Sequence, residues 1–391
     1  MKPLRIAYLI FSSGLGGGEL LLLNHLSHHD PKHVTPLVVC SGEGALTERL
    51  RNLNIPVHIL PINREREYFC RFSLPHIRTL LKLWIWLRRN QIDLIHSYTL
   101  ETRNYAHAIA LLSGLPLFHT SQDTWFGNMF GRAQWWAMNK IPKRIIVTSQ
   151  TVSDSLKVGV KLRSTHVVMI RPGINLSHFS PKGTQEAVRA EFGIPPNSLI
   201  VGAVGRLSSV KGWDVFLSAA QRICQIRPDV HFLLVGGAVL ADDDYVDSVA
   251  RLIKMHQLND RISMTGFRDD MPHLISVMDV LVSTSPRESF GLVLAEAGAC
   301  GRPAVSVCNG GAQEIIVHGR TGLLVEVGDA VAVADAVLEL LADPLWCQEM
   351  GQEARRHVEA EFDICEMVNR IEHEYLDVAK ARQGIERPGV A

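Results

Sequence analysis

Short apolar runs alternate with longer amphipathic stretches along most of the chain. Runs of four to eight apolar residues are typical of buried strands, and the amphipathic stretches between them are typical of helices. Strands that alternate with helices indicate a parallel sheet covered by helices on both faces. The strands predicted in the first half are Leu4–Phe11, Val34–Cys40, Val57–Leu60, Leu94–His96, Leu117–Thr120 and Arg144–Thr148.

The alternation pauses at a proline-containing stretch, 172–181, and then begins again. The strands predicted in the second half are Leu199–Val204, Val230–Val235, Ile262–Thr265, Val280–Thr284, Pro303–Val307 and Leu323–Val325. Two separate series predict an α/β chain of two doubly wound, Rossmann-like domains that face a central cleft. The expected boundaries are 1–171 for the first domain, 172–181 for a linker, 182–362 for the second domain and 363–391 for a final helix and tail.

The balanced net charge hides an asymmetry between the two halves. The 391 residues contain 40 basic and 40 acidic side chains, but residues 1–180 hold 21 basic against 10 acidic ones. The balance argues against a dedicated nucleic-acid binder, and the split predicts two domains of opposite charge.

The cysteine pattern and the hydropathy of the sequence indicate in which cellular compartment the protein is expected. The seven cysteines contain no Cys-x-x-Cys pair, which favours free thiols in a reducing compartment. No apolar stretch approaches the ~20 residues that a membrane span needs. A cytoplasmic protein is expected, with peripheral association to a membrane as the finer hypothesis.

Glycines follow the first predicted strand, in the stretch Ser12–Glu19. Gly14 and Gly16 match a dinucleotide fingerprint, but Glu19 occupies the position of its third glycine, which disfavours an NAD-dependent dehydrogenase. Glycine-rich turns before helices accept phosphates and other ligands. A ligand loop is predicted, with a plain tight turn as the alternative.

Two cations follow the first strand of the second domain, in Gly205–Gly212. Arg206 offers a planar fork of donors and Lys211 a point charge, which together suit a diphosphate. Loops at this edge of a parallel sheet are where α/β proteins bind ligands. The alternative is a pair of solvated surface charges.

Two carboxylates eight residues apart lie in Ser285–Glu296. A helix starting near Phe290 places Glu288 in the preceding loop and Glu296 inside the helix, among apolar residues. Carboxylates accept hydrogen bonds from pairs of hydroxyls, as found on a sugar and a ribose. A buried carboxylate without partners is costly, so Glu296 is expected to meet a ligand or an ion-pair partner.

This Glu-x7-Glu segment resembles the signature of the retaining glycosyltransferases of family 4, which have the GT-B fold. Further stretches agree in order across nearly the whole chain: Gly16–Glu19, Gly205–Gly212, Leu233–Gly237, Thr265–Phe267, Asn309–Glu314 and Gly322–Leu324. The resemblance implies that the last helix crosses back to the first domain. It also implies that the first domain lies on the acceptor side and that the second binds a nucleotide sugar.

The resemblance implies a role for each matching residue. Arg206 and Lys211 bind the donor diphosphate, Glu288 contacts the donor sugar, and Glu296 binds the ribose hydroxyls. The remaining implied contacts are the amides of Phe290, Gly291 and Leu292 beside the sugar, Phe267 and Arg268 at the base, and Gly16 and Gly17 lining the cleft.

The family also places a histidine after a strand of the first domain, close to the donor sugar. His119 matches that position best, although Thr120 stands where an acidic residue is common and Asp123 comes later. His96 is the second candidate, and a structural role is the alternative for either histidine.

The resemblance implies a metal-independent transfer with retention at the anomeric carbon. The predicted reaction moves a hexose-type sugar from a nucleotide-diphosphate sugar, UDP-sugar above all, to a glycan or lipid-linked acceptor in polysaccharide or lipopolysaccharide synthesis. No cofactor is expected. A GT-B nucleotide-sugar epimerase and a non-catalytic nucleotide-sugar-binding protein are the alternatives.

Two other patterns are interpreted as structural rather than metal-binding. The acidic run Asp242–Asp244 precedes a helix and fits capping, because the helix dipole favours acids there. The four histidines His25, His28, His29 and His33 are expected to be solvated.

A basic amphipathic helix is predicted over 73–90. Its expected core face is Ile77, Leu80, Leu81, Trp84 and Leu87, with Trp86 on the opposite side. A tryptophan beside the cations Arg78, Lys82 and Arg89, preceded by Arg64, Arg66 and Arg71, suggests docking on an anionic membrane, with ordinary packing as the alternative. A second aromatic group that could line the acceptor site is Trp125, Phe126, Phe130, Trp135 and Trp136.

Overall fold

The computed structural model describes residues 2–62, 76–99, 102–122, 141–159, 166–180, 185–237 and 243–382. The chain forms two compact units, one of Met1–Gly173 with Ile364–Ala391 and the other of Ile174–Asp363. Most of the stretch expected to be a linker therefore belongs to the second unit. Ile174 pairs with Asp363 in an isolated β-bridge there, and Phe179 packs against the core.

A seven-stranded parallel sheet forms the centre of the first unit, in the order β3-β2-β1-β4-β5-β6-β7. Its strands are β1 (Leu4–Leu9), β2 (Val34–Cys40), β3 (Val57–Ile59), β4 (Leu94–Ser97), β5 (Leu117–Ser121), β6 (Pro142–Val147) and β7 (Val167–Met169). Each strand pair is parallel, which confirms the predicted sheet type. Strand β7 is an addition to the six strands expected here.

Helices cover both faces of this sheet, because side chains alternate along each strand. On β1, Tyr8 faces α1 (Gly17–Ser27), α2 (Ala45–Asn52) and the final helix, whereas Leu9 faces the other helix pair. That second pair consists of α3 (Ile77–Arg89) and α4 (Arg103–Ser113). Helix α5 (Gln150–Gly159) follows β6.

The final helix, α14 (Ile364–Arg382), completes the core of the first unit, as the predicted crossing helix requires. Tyr375 is fully buried there, and Ile371 packs in the same cluster. Glu372 is only 1% exposed and accepts a hydrogen bond from the Asp30 amide at 2.9 Å. Arg144 donates to Glu374 at 2.5 Å, so polar contacts anchor the helix as well as apolar packing.

A six-stranded parallel sheet forms the centre of the second unit, in the order β10-β9-β8-β11-β12-β13. Its strands are β8 (Leu199–Val204), β9 (Val230–Val235), β10 (Ile262–Met264), β11 (Val280–Ser283), β12 (Ala304–Val307) and β13 (Gly322–Val325). All six correspond to predicted strands. Two apolar clusters, one on each face, form the core.

Eight helices are described in the second unit. They are α6 (Gln185–Glu191), α7 (Trp213–Ile226), α8 (Asp243–Met255), α9 (Met271–Ser276), α10 (Leu292–Ala299), α11 (Gly310–Ile315), α12 (Ala330–Ala342) and α13 (Pro344–Glu361). The sheet order reverses between β8 and β11, and their carboxyl ends are neighbours. The loops after these two strands therefore meet at the switch point, the usual ligand position in such sheets.

The buried face of helix α3 overlaps only in part with the one its sequence pattern indicates. Leu80 and Leu87 are buried as expected and Leu83 joins them, whereas Ile77 and Leu81 are 64% and 53% exposed. Apolar residues occupy most of the circumference of this helix, so periodicity alone selects the wrong stripe. Trp86 is also half-buried and stacks on His58 with ring centroids 5.1 Å apart, which contradicts its expected position away from the core.

The histidines near the first helix are not all solvated, contrary to expectation. His25 is fully buried, and its Nδ1 lies 2.5 Å from the hydroxyl of Tyr98. His33 Nδ1 lies 2.9 Å from Glu372. Packing by the final helix, which no local pattern reveals, takes the His25 ring out of water and gives the His33 ring a carboxylate partner.

The acidic run before α8 and the hydropathy of the helices can be compared with the sequence predictions. Asp243 begins α8, while Asp242 lies outside the described residues. Within the described ranges, every helix is too short or too polar to cross a membrane.

Candidate functional site

The loop after β8 is held close to the end of β11. Gly212 has a left-handed φ of 67°, and a Cβ atom there would lie 2.3 Å from the Thr284 carbonyl oxygen. The Thr284 hydroxyl donates to the Gly212 carbonyl at 2.8 Å. Glycine is required for both the conformation and the close approach. This contact fixes the short 3₁₀ turn 209–211, which carries Lys211.

Lys211 and Glu288 meet at the switch point. The Lys211 ammonium group donates to the Glu288 carboxylate, and their side chains are 22% and 19% exposed. The Lys211 side chain also crosses Gly205, where a Cβ atom would lie 3.2 Å from its Cδ. The structure thus brings together Lys211, which is predicted to bind the diphosphate, and Glu288, which is predicted to contact the sugar. Both side chains remain accessible to solvent.

Arg206 lies on the same loop and is exposed. Its backbone position is fixed, because the Trp213 indole donates to the Arg206 carbonyl at 2.9 Å. A buried indole anchors the loop while the guanidinium group stays in solvent. This arrangement suits a cation that binds an anionic ligand.

The loop after β11 is supported from β12 and α11. The Asn309 side chain donates to the Ser285 carbonyl at 2.7 Å, and its oxygen accepts from the Ala312 amide at 2.9 Å. A Cβ atom at Gly311 would lie 2.4 Å from the Phe290 carbonyl oxygen. The helix α11 therefore packs directly against the loop that carries Glu288.

Backbone amides at the start of α10 lack protein acceptors. Gly291 caps the helix with a left-handed φ of 93°. Among the described residues, no acceptor is found for the amides of Phe290, Gly291 and Leu292. Unbonded amides at a helix start attract anionic or hydroxyl oxygens. Phe290 itself is buried and only its backbone is presented.

Glu296 lies just over one turn into α10, which begins at Leu292. Burial raises the pKa of its carboxyl from 4.5 to about 7. The described part of the chain provides no hydrogen-bond donor or cation to this carboxylate. The group is therefore poised to gain from a ligand that carries hydroxyl donors.

The two residues implied to hold the base have different environments. Phe267 is 66% exposed, so its ring is available to a ligand. Arg268 donates to Asp270 at 2.8 Å and to Glu191, and its guanidinium carbon lies 5.5 Å from the Phe192 ring centroid. Those partners hold Arg268 in place, and a ligand would have to share them.

In the first unit, Gly16 and Gly17 lie where the chain enters α1 after β1. The Gly16 amide donates to the Glu19 carboxylate at 3.0 Å. Glu19 therefore satisfies a free amide of the helix start, which explains a carboxylate at the third fingerprint position. A Cβ atom at Gly17 would meet nothing within 4 Å.

His119 is the third of the five residues of β5 and is buried. Its Nδ1 is 3.1 Å from the Ser97 hydroxyl. Burial, together with the nearby His107 and Arg103, lowers the pKa of His119 well below its usual value, so the ring is neutral. The resemblance leads to a histidine after a strand, whereas His119 lies within one.

His96, the second candidate, is committed to the core. Its Nδ1 lies 2.5 Å from the Tyr375 hydroxyl, and its Nε2 lies 2.8 Å from the Thr120 hydroxyl. Both ring nitrogens thus have protein partners, and the ring is fully buried. Asp123 and the aromatic group between Trp125 and Trp136 lie outside the described residues.

Sequence reasoning missed several supporting residues, namely Ser97, Thr102, Thr284 and Asn309. Ser97, Thr284 and Asn309 lie at or within two residues of a strand end, whereas Thr102 precedes α4 and its hydroxyl lies 2.7 Å from that of Ser97. Only Asn309 carried a local signal, since a residue of this type before Gly310 is a helix cap.

The two parallel sheets, with a candidate ligand site at the switch point of the second, define a GT-B type of fold. Residues 15–178 match the family model Glycosyltransferase Family 4, and residues 184–357 match Glycosyl transferases group 1. A D-inositol 3-phosphate glycosyltransferase of Corynebacterium diphtheriae is 35% identical over 312 residues, which cover 73% of this chain and 71% of the relative. The chain belongs to glycosyltransferase family 4, and the resemblance implied by the motifs is confirmed.

Other relatives match over a smaller part of their length. An N-acetyl-alpha-D-glucosaminyl L-malate synthase of Bacillus anthracis is 34% identical over 194 residues, 49% of each chain. A D-inositol 3-phosphate glycosyltransferase of Mycolicibacterium smegmatis is 32% identical over 200 residues, 51% of this chain and 45% of the relative. The chain thus spans about half the length of these curated relatives.

Solved structures confirm the predicted GT-B fold. HepE of Anabaena, in a complex with UDP and glucose, superposes with a TM-score of 0.86 at 24% identity, covering 96% of this chain and all 100% of that one. Sucrose-phosphate synthase of Thermosynechococcus elongatus gives a TM-score of 0.79 at 22% identity, covering 97% and 100%.

Proposed function

We propose that the protein is a retaining glycosyltransferase that takes a hexose-type sugar from a nucleotide-diphosphate sugar, with UDP-sugar as the donor. The observation that carries the proposal is the Lys211–Glu288 pair beside the unbonded amides of Phe290–Leu292. The Lys211 ammonium group can bind a diphosphate. The Glu288 carboxylate and the backbone amides can hydrogen-bond to a sugar. HepE, described in complexes with UDP, UDP-glucose and glucose, supports the choice of donor.

The proposed reaction forms a bond between an acceptor hydroxyl oxygen and the anomeric carbon as the bond to the diphosphate breaks. The acceptor proton passes to the leaving phosphate oxygen. Lys211 and Arg206 stabilise the charge that develops on the diphosphate, which is the main catalytic task assigned to the protein. Glu288 orients the sugar, Glu296 binds the ribose hydroxyls, and Phe267 lies beside the base with Arg268.

Within the first unit, His119, Gly16 and Gly17 are assigned to substrate contacts. We assign the acceptor to the glycan or lipid-linked class, in polysaccharide or lipopolysaccharide synthesis at the cytoplasmic face of a membrane. The excess of basic residues in 1–180 supports an anionic acceptor or surface.

A second acceptor class is favoured by the relatives. Their names specify L-malate and inositol 3-phosphate, which are small anions that carry hydroxyl groups. The same basic half suits such a molecule. Parallel assays with hydroxy acids, inositol phosphates and lipid-linked glycans separate the two classes.

The test is a donor screen followed by product analysis. Thermal-shift measurements with a panel of nucleotide sugars identify the donor, because a ligand that binds only the folded state raises Tm. NMR of the product then reports the anomeric configuration, and retention is expected. Epimerised donor without acceptor would indicate an epimerase, and binding without any turnover would indicate a sensor.

The proposed chemistry needs no metal or cofactor, since two cationic side chains serve the diphosphate. Transfer is expected to continue at an undiminished rate in the presence of EDTA. A rate restored only by added divalent cations would overturn this part of the proposal.

A further inference from the structure

Helix α3 presents an apolar stripe to solvent. Ile77, Leu81 and Ile85 are 64%, 53% and 43% exposed, and their spacing of four residues places them in one row. Leu111 and Leu112, at the end of the neighbouring helix α4, are 68% and 58% exposed. Large apolar side chains gathered in this way mark an interaction surface.

A column of cations runs beside this stripe. At about 100° per residue, Arg78, Lys82 and Arg89 lie about 80° further round the helix than the apolar row. All three side chains are exposed. Neither α3 nor α4 contains an acidic residue, so no carboxylate of these helices offsets the charge.

The acidic residues of the final helix are kept away from this surface. Helix α14 packs on the face of the sheet that carries Tyr8, whereas α3 and α4 pack on the face that carries Leu9. Glu374 is moreover paired with Arg144. The acidic residues of the final helix therefore do not offset the positive charge of α3.

From this juxtaposition we propose that α3 docks the first unit on an anionic lipid surface. The apolar row enters the headgroup region, and the cations meet lipid phosphates. Anionic lipid is favoured over a second copy of the chain because identical cationic columns would repel each other. The inference does not depend on the donor site, and it replaces Trp86 as the expected anchor, since that ring stacks on His58.

Co-sedimentation with vesicles tests the surface. The protein is expected to bind phosphatidylglycerol-containing vesicles and not vesicles of phosphatidylcholine alone. Changing Arg78 and Lys82 to Gln is expected to weaken binding about 25-fold, at about fivefold for each charge. Changing Leu81 and Ile85 to Ser is expected to weaken it about tenfold.

Matched changes in the second unit serve as controls. Arg251→Gln with Lys254→Gln removes two exposed cations, and Met255→Ser with Leu345→Ser removes two exposed apolar side chains. Both controls should bind as the unchanged protein does. Equal binding to both kinds of vesicle, equal losses in the controls, or a dimer in sedimentation velocity that Leu81→Ser dissolves would overturn the proposal.

A separate observation concerns the proton on His119. Ser97 Oγ lies 3.1 Å from His119 Nδ1 and 2.7 Å from Thr102 Oγ1, and the Thr102 hydroxyl lies 2.8 Å from the Thr99 carbonyl oxygen. Each hydroxyl has one proton, and a carbonyl can only accept. Thr102 must therefore donate to Thr99, Ser97 must donate to Thr102, and His119 Nδ1 must donate to Ser97.

We infer that Ser97 and Thr102 are positioning residues that hold neutral His119 in its Nδ1–H form. The lone pair then lies on Nε2, which can accept a hydrogen bond from a hydroxyl of the substrate. This inference rests on the proposed function only for its consequence in catalysis. The tautomer itself follows from the three hydrogen bonds.

Nitrogen-15 NMR of labelled histidines measures the tautomer directly. The unchanged protein should show His119 protonated at Nδ1. Thr102→Val should shift His119 toward the Nε2–H form and lower kcat without raising KM for the donor, and Thr102→Ser should restore both. Thr120→Val, which alters the partner of His96, serves as the control.

The two readouts separate the possible failures. An Nε2–H ring in the unchanged protein, or unchanged populations in Thr102→Val, would refute the inference. A tautomer that shifts while kcat stays constant would support the hydrogen-bond assignment and refute the role of His119 in the proposed function.

Discussion

Lys211 and Glu288 form an ion pair although 77 positions separate them in the sequence. The carboxyl ends of β8 and β11 are adjacent, and this adjacency brings the two side chains together. The carboxylate holds the Lys211 side chain in one conformation before the donor binds. Positions fixed in advance lower the cost of orienting the donor.

Replacing Lys211 by Ala should lower kcat/KM for the donor by about 100-fold or more, because the charge on the leaving diphosphate loses a partner. Lys211→Arg should retain part of the activity. Steady-state kinetics with the identified UDP-sugar provide the measurement. The control is Lys254→Ala on α8, an exposed cation that should leave kcat/KM unchanged. A variant Lys211→Ala of full activity would remove this residue from the site.

The strand ladder was predictable from the sequence, while the pairing of side chains was not. Apolar runs such as Leu199–Val204 are set by local burial in a parallel sheet, and the structure reproduces them. The three-residue edge strand Val167–Met169 is partly exposed along its length and gives a much weaker pattern. The Lys211–Glu288 contact depends on strand order, which no local pattern contains.

Burial by distant elements explains the other differences. The core face of α3 is selected by its packing against the sheet and α4, while its own apolar residues surround most of the helix. His25 is buried in the cluster that includes Tyr375 from the final helix. These contacts join residues that are distant in the sequence, 350 positions apart for His25 and Tyr375, and only the assembled fold reveals them.

Glu296 should make donor binding depend on pH near neutrality. Its pKa of about 7 means that the carboxyl is protonated in the free protein at lower pH, whereas the carboxylate is the stronger acceptor and can accept from both ribose hydroxyls. Affinity for UDP-glucose should fall by up to about tenfold for each pH unit below 7 and level off above it. Calorimetry at several pH values, with Glu296→Gln as a pH-independent and weaker-binding control, measures this. An unchanged affinity in that variant would refute the ribose assignment.

The Glu296 carboxyl should also make the free energy of unfolding depend on pH, with a sign opposite to that of donor affinity. Its folded-state pKa lies above the value of 4.5 expected in the unfolded chain, so stability is lost as pH rises from about 4.5 through about 7. The free energy of unfolding of Glu296→Gln minus that of the natural protein should therefore be greater at pH 8 than at pH 5, by up to about 3 kcal/mol. Denaturant titrations at the two pH values give this difference. A constant difference would indicate that the carboxyl is not buried in solution.

Tyr375 should be the residue of the final helix on which the first unit depends most. Tyr375→Phe leaves the buried Nδ1 of His96 without its partner and should cost about 1–2 kcal/mol in the free energy of unfolding. Tyr375→Ala also leaves a cavity and should cost about 3–5 kcal/mol. His373→Ala, exposed on the same helix, should change stability by less than about 0.5 kcal/mol. Equal effects of the two alanine variants would contradict the packing of this helix.

A substitution at Gly212 should affect both the free energy of unfolding of the second unit and the binding of the donor. Gly212→Ala places a methyl group against the Thr284 carbonyl oxygen in a left-handed conformation, so the loop carrying Lys211 must move. We expect a loss in the free energy of unfolding at least about 2 kcal/mol greater than in a matched glycine variant, together with weaker UDP-sugar binding. That match is Gly328→Ala, where φ is 84° and a Cβ atom meets nothing within 4 Å. It should show only the backbone penalty of about 1–2 kcal/mol and normal affinity. Denaturant titration and calorimetry on both variants distinguish steric displacement of the loop from the conformational cost alone, and equal losses in the two would show that the Gly212–Thr284 contact is looser than described.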